Sequence, residues 1–293
     1  MFCAPQHEEE ERALAARGVF FVGGPGAYIF EGKSGSGKNV LLENMLSKSL
    51  IPFENVVTLS TTQEETGSLD FIARFYDPSY WGVAKDINEL MHVIDVRKDS
   101  LAKIKHKLGM EEKDAYIQRH PMLVIVDDIG GTTSTRNSEK NPWYTLFTTV
   151  RHLGIYLVVL IQYHKQIGPA FMGNTRALIT FDHADDAIKH FANCSGVSLT
   201  TNDKKNLQAF LKIRHNFLIW WKTWSSENSL PDIPWLCGKI TPGTNACTIN
   251  NTHYQEVNTV KRAIKEEDIR KKQTPEFGSF SDSSDFDEMS EDD

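Results

Sequence analysis

The chain has 293 residues, 40% of them hydrophobic and 24% charged, with a formal net charge of -7. That length and composition suit one large domain with tails, and the acidic total argues against a protein that coats nucleic acid by bulk charge, while leaving room for a locally basic channel. The four cysteines (Cys3, Cys194, Cys237 and Cys247) include no CxxC pair, so reduced thiols are expected rather than a disulfide framework or a zinc site.

The chain opens "MFCAPQHEEEERAL", acidic where a signal peptide is basic and without its apolar core. Residues 1–17 read as a charged lead-in. The apolar run Ile155–Ile161 is the longest in the chain and far too short to span a bilayer, so the protein is expected to be soluble and not secreted.

From residue 18 to 225 short apolar runs alternate with amphipathic stretches, the pattern of an α/β domain with a mainly parallel sheet flanked by helices. The first run, Tyr28–Phe30, leads into "EGKSGSGKN". Gly32–Lys38 fits G-x-x-x-x-G-K, a loop whose inward N–H groups and following helix N-terminus cradle phosphates. Gly32, Lys33, Ser34, Gly35, Ser36, Gly37, Lys38 and Asn39 are the expected nucleotide-binding residues, with Lys38 the charge on the β- and γ-phosphates. A P-loop carries Ser or Thr at the eighth position, as a Mg²⁺ ligand. Here it is Asn39, whose amide oxygen is a neutral ligand on a longer arm, so ATP binding with altered Mg²⁺ coordination is expected.

Lys38–Ser49 predicts the helix after the loop, Val56–Ser60 a second strand, and Asp86–Leu108 a helix in two segments. "PMLVIVDDIGG" then delivers Asp127 and Asp128 to the C-terminal end of a buried strand, Met122–Val126. Strand C-termini are where ligands bind in α/β sheets. Asp127 is the expected Mg²⁺ ligand and Asp128 the residue that polarises the attacking water. Residues 130–142 follow, polar, with Arg136 and Lys140. This loop and the basic stretch Arg97–Lys107 are candidates for contacts to DNA phosphates, or simply solvated faces.

Pro142 opens a helix to about His152. The strand Ile155–Ile161 ends at Gln162, a polar tip able to orient the lytic water, and Arg176 precedes the strand Ala177–Phe181. Arg176 is either a plain surface cation or an arginine that reaches a neighbouring subunit's γ-phosphate. The run "NFLIWWKTW" from Asn216 reads as core packing, with a later, antiparallel strand as the alternative. Residues 226–272, rich in Pro, Gly, Ser and Asn, read as an irregular extension, and the acidic, Ser-rich residues 273–293 as a disordered tail.

The order "GKSGSGKN", "LVIVDD", "LIQYHKQIGPAFMGNTRALITF", "RHNFLIWW" resembles the genome-packaging ATPases of large eukaryotic DNA viruses, the poxvirus-type members of the FtsK/HerA group of P-loop translocases. The resemblance covers Gly18 to Trp224. It implies an ASCE-type P-loop fold and an ATPase that forms a homo-oligomeric ring, a hexamer, and threads double-stranded DNA into a preformed capsid. Capsid or portal proteins would be its partners, and sites of virion assembly in the host cytoplasm or nucleus its location. Lys38, Asp127, Asp128, Gln162 and Arg176 would take the family's roles, and Asn39 departs from its Thr or Ser. A different P-loop enzyme, helicase-like or kinase-like, and a nucleotide-binding scaffold without turnover are the alternative readings.

Overall fold

The computed structural model describes residues 21, 24–49, 51, 53–60, 67, 69–127, 141–168, 171–172, 174–221, 235–240 and 247–249. The lead-in, Asp128, Arg136, Lys140 and the acidic tail lie outside them.

Among the described residues nine strands form one sheet: β1 (Gly26–Glu31), β2 (Asn55–Ser60), β3 (Trp81–Ala84), β4 (Met122–Asp127), β5 (Ile155–Ile161), β6 (Thr175–Thr180), β7 (Asn216–Trp221), β8 (Trp235–Ile240) and β9 (Cys247–Ile249). Their spatial order is β3-β2-β4-β5-β1-β6-β7-β8-β9. The strands from β3 to β6 in that order are parallel, and β7, β8 and β9 continue antiparallel. The stretch after residue 225, irregular by composition, thus supplies two strands to the sheet, and the run from Asn216 is the antiparallel strand that joins them to it.

The parallel strands are apolar on both faces because both are covered. Side chains alternate across the pleat. Ala27, Ile29, Met122, Val124, Val126, Leu157, Val159 and Ile161 enter one core. Tyr28, Phe30, Leu123, Ile125, Tyr156, Val158 and Leu160 enter the other. The second core is closed by α1 (Lys38–Lys48) through Leu41, Leu42 and Met45. The first is closed by α2 (Ile87–Leu108), α4 (Pro142–Thr149), α5 (Asp185–Cys194) and α6 (Thr201–Lys212). A further helix, α3 (Met110–Arg119), has no fully buried residue.

Helix α2 runs unbroken for 22 residues, where the sequence pattern suggests two segments. The Asp86 carboxylate accepts the N–H groups of Asn88 and Glu89 at 2.8 and 2.9 Å, satisfying donors that the first turn leaves open. Lys105, His106 and Lys107 occupy its last turn, where the helix dipole favours cations. Helix α6 starts with a reciprocal cap between Thr200 and Asp203. Among the described residues no helix is long and apolar enough to cross a membrane.

The C-terminal strands are seated by close contact. A Cβ on Gly238 would lie 2.2 Å from the ring of Phe217, which is completely buried. Gly238→Ala is therefore expected to push β8 off β7, at about 1–3 kcal/mol. The checks are a lower urea midpoint and loss of amide-exchange protection in residues 235–240.

Candidate nucleotide and metal site

The register fixes where the site can be. Glu31, the last residue of β1, is level with Ile161 of β5, and Leu160 is level with Asp127 of β4. The loop after β1, the Gln162 tip after β5 and Asp127 therefore leave the sheet at one edge. Asp127 stands two strands from the loop, roughly 10 Å at the usual strand spacing. By the pleat it shares the face of Leu123 and Ile125, on which α1 lies.

Two glycines set the backbone of the loop. Gly37 caps α1 with φ 109°, a left-handed conformation that suits glycine. A Cβ there would also meet Ile240 at 2.5 Å. At Gly32 the reason is space: a Cβ would lie 2.7 Å from Ser36 Oγ and 2.9 Å from Phe181. Lys33, Ser34 and Gly35 are exposed, while Ser36, Gly37, Lys38 and Asn39 are half-buried. Lys38 Nζ curls back over the loop, donating to the carbonyls of Gly32 and Lys33.

The residues fit a triphosphate with a divalent cation. The first turn of α1 carries no acidic residue, so no carboxylate of that turn offsets its positive end. The buried Ser36 hydroxyl makes no hydrogen bond of its own. Asn39 lies in that same first turn, and Asp127, 9% exposed, stands at the shared edge; an amide oxygen, a carboxylate and waters are the hard oxygen donors that Mg²⁺ takes. Asp128 lies outside the described residues.

Gln162 is set by a residue the sequence pattern did not single out. Gln166 Oε1 accepts the backbone N–H of Gln162 at 2.9 Å and of Tyr163 at 3.0 Å, closing the short turn His164–Gln166 under the tip. Only the folded turn reveals this. His215 is a second such residue, with φ 70°. Its Nδ1 lies 3.3 Å from the Ser36 carbonyl, toward which it can only donate.

Arg176 is not brought to this site. It sits near the start of β6, at the Ala27/Tyr28 bulge, roughly 15 Å along the strand from the loop edge. Its Nε donates to the Pro25 carbonyl at 3.3 Å, and its stem lies against Gly26. Within the basic stretch of α2, Arg97 is also committed elsewhere, donating to the carbonyls of Leu153 and His120 at 2.6 and 2.7 Å. Lys98, Lys103, Lys105 and Lys107 are exposed.

One charged residue at the edge is wholly buried. Glu31 is 0% exposed and receives a hydrogen bond from Thr180 Oγ1. Its Oε1 faces His164 Nδ1 at 3.9 Å. Burial raises the Glu31 pKa, opposed by His164 and Thr180. Folded Glu31 thus takes up its proton at higher pH than in the unfolded chain. Its contribution to stability is fully present below the ordinary carboxylate range and is lost as pH rises through the raised pKa. The neutral isostere in Glu31→Gln escapes that loss. Urea unfolding at a series of pH values is expected to show the variant gaining on wild type as pH rises through this window, with the two converging at its acid end.

A family model described as "Poxvirus A32 protein" matches residues 25–217. The chain is 28% identical over 181 residues to "Uncharacterized protein 088R" of Invertebrate iridescent virus 3. That match covers 60% of this chain and 60% of the relative's length. Among solved structures, B204, the DNA-packaging ATPase from Sulfolobus Turreted Icosahedral Virus, is similar with a TM-score of 0.44 at 14% identity, covering 67% of this chain and 92% of that one. The pCW3 conjugation coupling protein TcpA, in a structure with ATPgS, has a TM-score of 0.45 at 13% identity, covering 68% of this chain and 58% of that one.

Proposed function

This chain belongs to the Poxvirus A32 protein family, and from that premise we propose that it is an ATPase that drives viral double-stranded DNA into a preformed capsid. The observation that carries the reading is the convergence of the Gly32–Lys38 loop, Asp127 and the Gln162 tip at one edge of the parallel sheet.

In this reading the loop amides and the α1 N-terminus hold the phosphates, and Lys38 swings from its own loop carbonyls onto the β- and γ-oxygens. Asn39 and Asp127 would hold Mg²⁺, which when bound would neutralise charge building on the phosphates. Gln162 orients the attacking water, and Asp128 polarises it. The site works through placement and charge rather than covalent chemistry. Arg176 enters only as a residue offered to a neighbour in a ring, since its own site is out of reach. Residues 130–142, next in chain to the carboxylates, and the exposed lysines of α2 are the DNA contacts. A ring multiplies such modest basic surfaces, so the net charge of -7 is no obstacle.

Asn39 favours a second reading, a nucleotide-binding protein without turnover. ATP hydrolysis measured with and without duplex DNA separates the two. The motor reading expects stimulation by duplex and a lower Mg²⁺ requirement in Asn39→Thr. Binding without turnover, unrescued by Asn39→Thr, would establish the scaffold instead. Lys38→Ala is expected to weaken ATP binding about 10- to 100-fold, the worth of a charged hydrogen bond; unchanged affinity in equilibrium titration refutes the loop assignment. Mixing wild-type subunits with Arg176→Ala should reduce turnover beyond simple dilution, and loss by dilution alone removes the in-trans role.

A further inference from the structure

Among the buried polar groups of the described residues that this mechanism leaves unused is the carboxyl of Glu31. Glu31 immediately precedes the phosphate-binding loop, yet it is not a nucleotide ligand. It is 0% exposed. The pleat turns it to the face of Ala27 and Ile29, on which α5 packs, away from the α1 face. Neighbouring strands fill that layer with Val126, Val159 and Ile161. A carboxylate there loses its hydration and recovers little in exchange.

What it meets is the turn behind the Gln162 tip. His164, 8% exposed, presents Nδ1 to Glu31 Oε1 at 3.9 Å. Neither atom has a hydrogen-bond partner among the described residues. On its other side His164 Nε2 lies 3.7 Å from Asp186 Oδ2 at the start of α5. Asp186 is in turn 3.3 Å from Lys165 Nζ. Also around the pair, among the described residues, are Thr180 and Asp182, from β6 and its continuation, and His190 of α5, whose ring is 5.3 Å from that of His164. The two unsatisfied atoms face each other across a gap that a shift of under about 1 Å converts into a charge-assisted hydrogen bond. The His164 turn is tied through Gln166 to the N–H groups of Gln162 and Tyr163, so such a shift carries Gln162 with it. On the other side of the gap, Gly32 N–H donates to the Ile161 carbonyl at 3.1 Å, so the loop's first residue is fixed to the same strand end.

We propose that Glu31 and His164 are a positioning pair, a buried latch on the rear face of the sheet that holds the start of the phosphate-binding loop in register with Gln162. The latch sets the rate of hydrolysis and leaves nucleotide affinity alone. It rests on the reading of Lys38 and Gln162 given above, and it adds two residues that touch neither nucleotide nor water. Phosphate affinity comes from the loop amides and Lys38 on the α1 face. The attack geometry depends on how far Gln162 stands from those phosphates, and that spacing is what the pair controls.

Glu31→Gln separates this role from a structural one. The amide keeps the size and the Thr180 hydrogen bond but removes the charge. As a mere core residue it should leave turnover intact while relieving a buried carboxylate. As a latch member it should cost activity while stability holds or rises. The experiment measures duplex-stimulated ATPase kinetics, equilibrium binding of a fluorescent ATP analogue and thermal midpoints. The proteins are full-length wild type, Glu31→Gln, His164→Gln, the double variant and Lys38→Ala. The expected result is a roughly 10- to 100-fold fall in kcat for either single variant, the scale of a sub-ångström to ångström misplacement. KM and analogue affinity stay within about twofold, and the double variant is no worse than the poorer single, as for residues acting as one unit.

Several results overturn the pair: Glu31→Gln with a kcat within about twofold of wild type, additive losses in the double variant, or a thermal midpoint that falls in step with kcat. His164→Gln, on a short turn, carries the same test if Glu31→Gln fails to fold. Lys38→Ala distinguishes the two levels. If it loses analogue binding while Glu31→Gln turns over normally, the site stands and only the latch is wrong. If it binds and turns over as wild type, the site reading fails and takes the latch with it.

Discussion

The hydrogen bond from Gly32 N–H to the Ile161 carbonyl, 3.1 Å long, continues the β1–β5 ladder one residue beyond the strand. On the other flank Phe181 N–H donates to the Glu31 carbonyl at 2.9 Å. The chain is thus clamped on both sides at the residue where it leaves the sheet to form the loop. A flexible glycine-rich segment would otherwise sample many conformations, at an entropic cost to each productive one. Here its root is fixed by two parallel neighbours, and its far end is fixed by α1 packing Leu41, Leu42 and Met45 into the core. The direction of the loop amides, the reach of Lys38 and the two-strand separation from Asp127 all follow from that clamp.

The two faces of the sheet carry different duties. On the α1 face lie the loop, Lys38, Asn39 and Asp127, the groups proposed to meet a nucleotide. The opposite face, under α2, α4, α5 and α6, is a continuous apolar layer interrupted at its edge by Glu31, His164 and Thr180. Apolar burial at about 25 cal/mol per Å² dominates the free energy of such a layer, and a charge within it works against that gain. The interruption falls under the edge where the loop leaves the sheet, and the other positions of β1, β4 and β5 on this face are apolar. Buried polar groups left short of partners concentrate where structure is held for function rather than for stability.

Much of this was legible in the residues. The loop, the strand ending at Asp127 and the strand ending at Gln162 stand out because parallel strands covered on both faces read as continuous apolar runs, and because G-x-x-x-x-G-K needs a strand before it and a helix after it. Strand β3, "WGVA", was not legible: it is short, at the sheet edge, and Gly82 and Val83 are exposed. Helices α5 and α6 hide behind polar stretches whose apolar stripe is narrow, Ala187, Ile188, Phe191 and Ala192 in one and Leu207, Phe210 and Leu211 in the other. The Glu31–His164 contact is invisible for a different reason. It depends on the register of β1 against β5 and on a turn closed by Gln166, and no local pattern encodes either. The end of the sheet on which Arg176 falls was hidden likewise: position in sequence says it precedes a strand, and only the parallel pairing says that a strand's start is the wrong end for the subunit's own site.

The antiparallel strands beyond β6 also bear on the site, though they supply no ligand. Ile240, at the end of β8, packs where a Cβ on Gly37 would stand, and its N–H donates to the His215 carbonyl at 3.0 Å. His215, held at φ 70°, turns its ring toward the Ser36 carbonyl. The helix-proximal half of the loop is thus braced from the C-terminal strands, while its root is braced from β5 and β6. A loop fixed at both ends has its amides aimed before any ligand arrives, and electrostatic stabilisation of a transition state depends on dipoles that need not reorganise. Removing β8 from the sheet would free Gly37 and Ser36 without touching a phosphate contact, so the extension's contribution is to preorganisation, one step removed from the chemistry.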